Sequence, residues 1–253
     1  MRIRCYEEAA HKEGVRGMNK TKIEWCDYTI NPVKGLCPMA CPYCYARAMY
    51  KRFKWNPEIR FEPEWAVPIK LNRYNPSRIF VGSTIELFGD WVKDEWMREI
   101  FEFTQWYPEN TFIFLTKQPQ NLIKFSPFPD NCWVGVSATS MILASAACAW
   151  LSRIEAKVKY LSIEPLLEWE GRLSDGRLGW QGNYHDINWV IIGQQTPIKT
   201  TTTPKLAWVQ EILSAADKAN IPVFLKDNLD ALMPKYNPSE KLRQEWPVLG
   251  ELK

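Results

Sequence analysis

Six short apolar runs, separated by helical or looping stretches, constrain this chain more than any other feature. They are Ile79–Gly82, Thr111–Leu115, Trp133–Val136, Tyr160–Ile163, Trp189–Ile192 and Pro222–Leu225. Each is rich in β-branched or aromatic residues and apolar at successive positions, so both of its faces need burial. Strands of that kind belong to parallel sheets covered by helices, rather than to antiparallel sheets with one wet face. The intervening segments supply crossover helices. Asp94 is expected to cap a helix through EWMREIFEFTQW, with Trp96, Ile100 and Phe103 on its buried face. Residues 140–153 are small and apolar enough for a buried helix. Pro204 suits the first turn of a helix whose stripe is Leu206, Val209, Ile212 and Leu213. The stretch 118–131 predicts an irregular crossover, and the glycine-rich stretch 168–188 a long loop or small hairpin inserted into the fold.

Alternating strands and helices give an α/β chain whose parallel sheet is either doubly wound or closed toward a barrel. The punctuation of the runs favours the barrel. They end in Ser83, Thr116–Lys117, Ser137, Glu164, Gln194 and Lys226, and the C-terminal strand ends of a barrel converge on one ligand-binding face. For any single residue the alternative is that a strand stops where polarity begins. The prediction is a partial parallel β/α (TIM-like) barrel of about six to seven strands over residues 18–235. A polar arm at 1–17 precedes it, before a natural-looking start at Met18, and a tail at 236–253 follows.

At 253 residues with 46% apolar and 24% charged side chains, the chain is long enough for a large core and ordinary for a soluble protein. No run approaches the length of a membrane span, so no membrane partner and a cytoplasmic location are expected. The net charge of +3 is too small to indicate nucleic acid by itself.

Three of the seven cysteines crowd into eight residues as Cys37-x3-Cys41-x2-Cys44, with Tyr43 directly before the last. Thiolates at such intervals can converge on one soft metal centre, and Gly35, Pro38 and Pro42 allow a tight loop. Three ligands rather than four is the informative count. Structural zinc is closed by four ligands, whereas a [4Fe–4S] cluster held by three thiolates keeps one iron open. Zinc completed by Cys26 or another distant cysteine, and plain thiols, stay as alternatives.

This spacing, with an aromatic before the third cysteine, resembles the signature of the radical SAM superfamily. The segments KIEWCDYTINPVKG, RIFVGSTIELFGDWV, TFIFLTKQP, CWVGVSA, YLSIEPLL, WVIIGQQ and IPVFLKD are similar to its phage-associated, functionally uncharacterised three-Cys-motif branch, over about residues 18–227. The resemblance implies a partial barrel of the radical SAM type with its cluster in the loop after the first strand. It also implies S-adenosylmethionine on the open iron, an external electron donor, and a 5′-deoxyadenosyl radical that abstracts hydrogen from an unknown substrate. Two positions depart from the branch. Its usual Gly-Gly-Glu after the sixth strand is Gly193-Gln194-Gln195 here, and its Leu-Thr-Lys-Arg ends in Gln118.

The resemblance places Tyr43, Ser83 and Glu86 among the cofactor contacts, with Glu86 facing the methionyl ammonium. The other reading of Glu86 is a helix-capping turn. Ser137 and Thr139 are candidates for the ribose or are turn residues. Glu164, before Pro165, is a candidate at the barrel mouth, as is Gln194 at the next strand end. Lys117 and Lys226 either hold an anionic group or pair with Glu86 or Glu164. Arg47, Lys51, Arg52 and Lys54 interleave with Tyr50, Phe53 and Trp55, which suits a nucleic-acid substrate or a solvated helix face. Cys132 and Cys148 read as buried hydrophobes. The leading expectation is therefore a radical SAM enzyme. Its rivals are a cluster- or zinc-stabilised nucleic-acid-binding module and a relative that keeps the cluster without cleaving the cofactor.

Overall fold

The computed structural model describes residues 19–62, 76–170, 186–234 and 241–248. The expected arm at 1–17, residues 171–185 of the expected insertion, and tail residues 236–240 and 249–253 lie outside that range. Among the described residues there are ten strands and four α-helices. The chain divides into two compact units, Met1–Trp133 and Val134–Lys253.

The first unit contains β1 (Asn19–Lys20), β2 (Tyr28–Ile30), β3 (Val33–Lys34), α1 (Tyr45–Phe53), β4 (Arg60–Phe61), β5 (Arg78–Val81), α2 (Asp94–Gln105) and β6 (Thr111–Thr116). Strands β2, β5 and β6 pair in parallel register, Tyr28 with Ile79 and Ile79 with Phe112, while β1 adds antiparallel to β2. Ile79, Phe112, Ile113 and Phe114 are fully buried. Each such side chain contributes about 1.5–3 kcal/mol of burial. Helix α2 begins at Asp94 itself, after Lys93 and without a side-chain cap, so Asp94 is a first-turn residue rather than the cap. Its buried stripe is Met97, Ile100, Phe101, Phe103 and Thr104. Trp96 lies one position off that stripe and stacks on Phe61 at 5.7 Å between ring centroids.

The second unit holds most of β7 (Cys132–Ser137), then α3 (Met141–Leu151), β8 (Val158–Ile163), β9 (Trp189–Ile192), α4 (Leu206–Ala219) and β10 (Val223–Leu225). Strand β9 lies between β8 and β10 and is parallel to both. Ser140 caps α3 by accepting the Leu143 N–H at 3.3 Å, and Asn220 ends α4 in the left-handed region at φ 55°. Tyr160, Trp189 and Phe224 form a ring layer across β8, β9 and β10, with centroids 5.4 and 6.3 Å apart. Gly135 on β7 leaves the space that the Tyr160 ring fills.

The strand order β1-β2-β5-β6-β7-β8-β9-β10, with seven parallel strands and helices in the connections, is that of a partial parallel β/α barrel. A separate two-stranded sheet, β3 with β4, pairs Val33 with Phe61 and Lys34 with Arg60.

Candidate metal and cofactor site

The cysteine loop is an excursion from the end of β2, and the β3–β4 ladder closes it at its base. Leu36 N–H donates to Pro57 O at 2.9 Å, and Glu62 pairs with both Lys34 and Arg60. Gly35 at the neck has φ +134°, and a Cβ there would lie 2.6 Å from Ile59 Cα and 2.7 Å from Glu58 O. Only glycine fits that approach. Within the loop, Arg47 donates to Cys37 O at 2.6 Å and Tyr50 OH accepts the Gly35 N–H at 2.8 Å, so α1 holds the N-terminal side of the thiol segment. Cys44 is the cap residue of α1, and its N–H donates to Cys41 O at 3.1 Å.

Cys37, Cys41 and Cys44 are free thiols of intermediate exposure. The Cys37 thiol is raised by burial, against hydrogen bonds from the Glu86 and Met39 backbone N–H groups, with the Cys44 thiol near enough to act on it electrostatically. Burial, together with the adjacent Cys41 and Cys44 thiols, pushes the Tyr43 hydroxyl up to about 12. Tyr43 is thus a neighbour of the thiols themselves. Among the described residues no three His, Cys, Asp or Glu side chains are gathered in finished metal-binding geometry. The donor set nevertheless fits a three-thiolate cluster: three cysteines free of disulfides sit on one short, well-anchored loop. Cys26 does not belong with them. It lines a cavity with Tyr28, Arg78 and Thr111, the first residues of β2, β5 and β6, at the opposite strand ends from the loop. Cys132 and Cys148 are buried, and burial raises each thiol to about 12.

Ser83 and Glu86 follow β5 in a turn organised by Asn31, whose side-chain oxygen accepts from Ser83 Oγ, Thr84 N–H and Thr84 Oγ1 at 3.1–3.2 Å. Tyr45 OH donates to Ser83 O at 2.6 Å, tying this turn to α1. Glu86 is buried, and its carboxylate accepts from Thr116 Oγ1 at 2.7 Å, Lys117 N–H at 2.7 Å and Phe88 N–H at 3.0 Å. Burial raises its pKa and outweighs these donors. Three internal donors are the bonding pattern of a carboxylate that ties its own turn to the end of β6. Asn31 lies within a quoted family segment and Arg47 within the basic, aromatic stretch, but their roles in holding the site together come from the fold.

In the second unit, Glu164 follows β8, Gly193 follows β9 and Lys226 follows β10. Lys226 forms an ion pair with Glu164 across β9. A Cβ on Gly193 would lie 2.9 Å from Lys226 Cδ and 3.2 Å from Glu164 Cγ, so glycine clears the path of the lysine chain. Ser137 Oγ reaches Glu164 O at 3.4 Å. Gln194 is buried and knitted to Asn228: its N–H donates to Asn228 Oδ1 at 3.2 Å, its Nε2 to Asn228 O, and Asn228 Nδ2 returns a bond to Gln194 O at 2.8 Å. Gln194 Oε1 and Ser162 Oγ are buried without a hydrogen-bond partner among the described residues. The structure therefore gathers the cysteines, Tyr43, Ser83 and Glu86 in one unit, and Ser137, Glu164 and Lys226 in the other.

No curated protein matches the chain. A solved structure of a spore photoproduct lyase mutant with bound AdoMet and dinucleoside spore photoproduct is similar, with TM-score 0.51 and 13% identity, covering 82% of this chain. The chain spans 65% of that lyase's length. A second structure, the lyase complexed with dinucleoside spore photoproduct, has TM-score 0.47 at 13% identity, with coverages of 82% and 65%. The first likeness shows a shared fold. Residues 20–241 match the family described as "Protein of unknown function (DUF5131)", and the chain belongs to that family.

Proposed function

We propose that the chain is a radical S-adenosylmethionine enzyme. In this reading Cys37, Cys41 and Cys44 hold a [4Fe–4S] cluster, the catalytic barrel spans residues 18–235, and nucleic acid is the candidate substrate class. The observation that carries the reading is the seating of the loop. Tyr45, directly after the third cysteine, donates to Ser83 O at 2.6 Å, which holds the three-cysteine segment beside the C-terminal end of β5. That edge is where β/α barrels bind their ligands. The similar lyase binds AdoMet and a dinucleoside, which supports the same cofactor and a nucleic-acid-related substrate. A cluster held by Cys37, Cys41 and Cys44 and reduced by an external donor would supply the one electron needed to cleave S-adenosylmethionine to methionine and a 5′-deoxyadenosyl radical.

The chain's own contributions are positional. Arg47 and Gly35 set the loop's shape, Asn31 and Tyr45 hold the Ser83 turn against it, and Tyr43 shields Cys41. Glu164 and Lys226 offer a carboxylate and an ammonium at the strand ends of the second unit, beside Ser137.

Anaerobic reconstitution tests this directly. The wild type is expected to turn brown, to carry about four irons and four sulfides per chain, and to form 5′-deoxyadenosine under reduction. Cys37→Ala, Cys41→Ala and Cys44→Ala should each lose the iron, and Cys148→Ala should not. A colourless protein with one firmly held zinc would refute the reading. One observation favours a second reading, a cluster-bearing module without turnover: Gln194 occupies part of the family's usual Gly-Gly-Glu and is engaged by Asn228. A full cluster without 5′-deoxyadenosine would select it.

A further inference from the structure

Between Cys37 and Pro57 the chain carries Arg47, Lys51, Arg52 and Lys54 and no Asp or Glu, in a protein whose formal net charge is only +3. Positive charge is therefore concentrated on this segment. The same stretch leaves aromatic rings in the open: Phe53 is 52% and Trp55 41% exposed. These two rings are near-parallel, with centroids 5.6 Å apart at 23°, and Tyr50 braces Trp55 edge-on at 5.2 Å. The bend that brings Trp55 back over the helix end is Lys54, at φ 51°, followed by the Trp55 N–H donating to Tyr50 O at 3.2 Å. Arg52 lies 5.2 Å from the Phe53 ring centroid. Beside the rings runs a groove of about 580 Å3, lined among others by Cys41, Cys44, Arg47, Tyr50, Lys51 and Trp55. That volume is of the size that takes a nucleotide-sized ligand.

We infer that this face of α1 is a binding platform for single-stranded nucleic acid, with a base stacked on Trp55 in the groove and flanking phosphates on Lys51, Arg52 and Lys54. A flat, braced ring offers a base a stacking plane whatever its sequence, and the acid-free surround attracts the backbone. An acidic protein would satisfy the charge but would make no use of an exposed ring plane beside a groove. The platform builds on the nucleic-acid part of the proposed function, and its groove borders Cys41 and Cys44.

The test is fluorescence anisotropy of a labelled single-stranded DNA oligonucleotide of mixed sequence, titrated with full-length reconstituted protein. Melting curves confirm that each variant folds. Trp55→Ala should weaken binding about fivefold or more, while Trp55→Phe keeps most of the affinity because it keeps a stacking face. Lys51→Glu with Arg52→Glu should weaken binding about tenfold or more and flatten its salt dependence. No binding by the wild type at about 100 μM protein overturns the inference. So does binding that ignores all three variants, or equal affinity for duplex DNA. Loss of affinity for an acidic electron-carrier protein in these variants, with oligonucleotide binding unchanged, overturns it in favour of a protein partner. Iron, sulfide and 5′-deoxyadenosine measured on the same preparations separate the two claims. A cluster without oligonucleotide binding sinks only the platform, and oligonucleotide binding without a cluster sinks only the enzyme.

Discussion

Lys226, at the end of β10, reaches over β9 to pair with Glu164 at the end of β8, and the residue beneath the crossing is Gly193. Both partners are partly buried, with side chains 15% and 25% exposed. The pair is thus more constrained than a surface ion pair, and the glycine is part of its geometry. Gly193→Ala is expected to cost roughly 1–2 kcal/mol, because a methyl group 2.9 Å from Lys226 Cδ forces the lysine chain aside. In the Lys226→Met background that cost should shrink, since the pair it disturbs is gone. Urea denaturation of the four proteins in this cycle measures the coupling, and strict additivity would contradict the crossing.

Glu86 faces three donors, so its replacement by an amide is costly. Glu86→Gln turns an NH2 group toward at least one N–H or hydroxyl that now donates to a carboxylate oxygen. The expected loss is about 1–3 kcal/mol, visible as a lower denaturation midpoint. An unchanged midpoint combined with weaker S-adenosylmethionine binding would instead assign the carboxylate to the cofactor.

Gly35→Ala should act on the loop and spare the sheet. The new Cβ meets the backbone of Glu58 and Ile59, and alanine is strained at φ +134°. Iron retention against a chelator is expected to fall several-fold, while the far-ultraviolet circular dichroism stays close to wild type. Full retention would mean that the neck of the loop yields easily.

The acid limb of stability should depend on Asp27. Burial raises its carboxyl, but the Arg78 hydrogen bonds and charge together bring it below the ordinary 3.8. A carboxyl depressed in the folded state stabilises above its unfolded value and loses that contribution as pH falls through the folded one. Stability should therefore decline below about pH 4, less steeply in Asp27→Asn than in wild type. The difference is small because Asp27 is 41% exposed, and pH-dependent melting curves will resolve it.

The long, doubly buried strands were legible in the sequence because periodicity and composition act locally. All six apolar runs are strands, and β9 has the expected bounds. Strand β2 was implied only by the resemblance because its three residues carry no pattern of their own, and the β3–β4 ladder escaped because two rungs carry even less. Trp96 was misplaced on α2 by one position, since a large aromatic can lie on a rim as readily as in a core. At the site, the cysteine spacing was legible because the ligands are neighbours in sequence. The donors to Glu86 were not, because Thr116 and Lys117 lie some thirty residues away and are brought in only by strand pairing. Gly193 belonged to a recognisable pattern, yet its reason is the passage of a side chain from the neighbouring strand β10 to the end of β8.

The β3–β4 ladder has a consequence for how such a chain can change over generations. The excursion that begins after Pro32 closes on itself at Glu62, whose N–H donates to Pro32 O at 2.9 Å. Entry and exit are a hydrogen bond apart. An excursion that closes on itself can gain or lose residues without shifting the register of any sheet strand, and the entropy of closing it grows only slowly with length. The thiols and the cationic aromatic helix ride together on that detachable segment. Lineages could therefore diversify what they bind while inheriting the barrel unaltered.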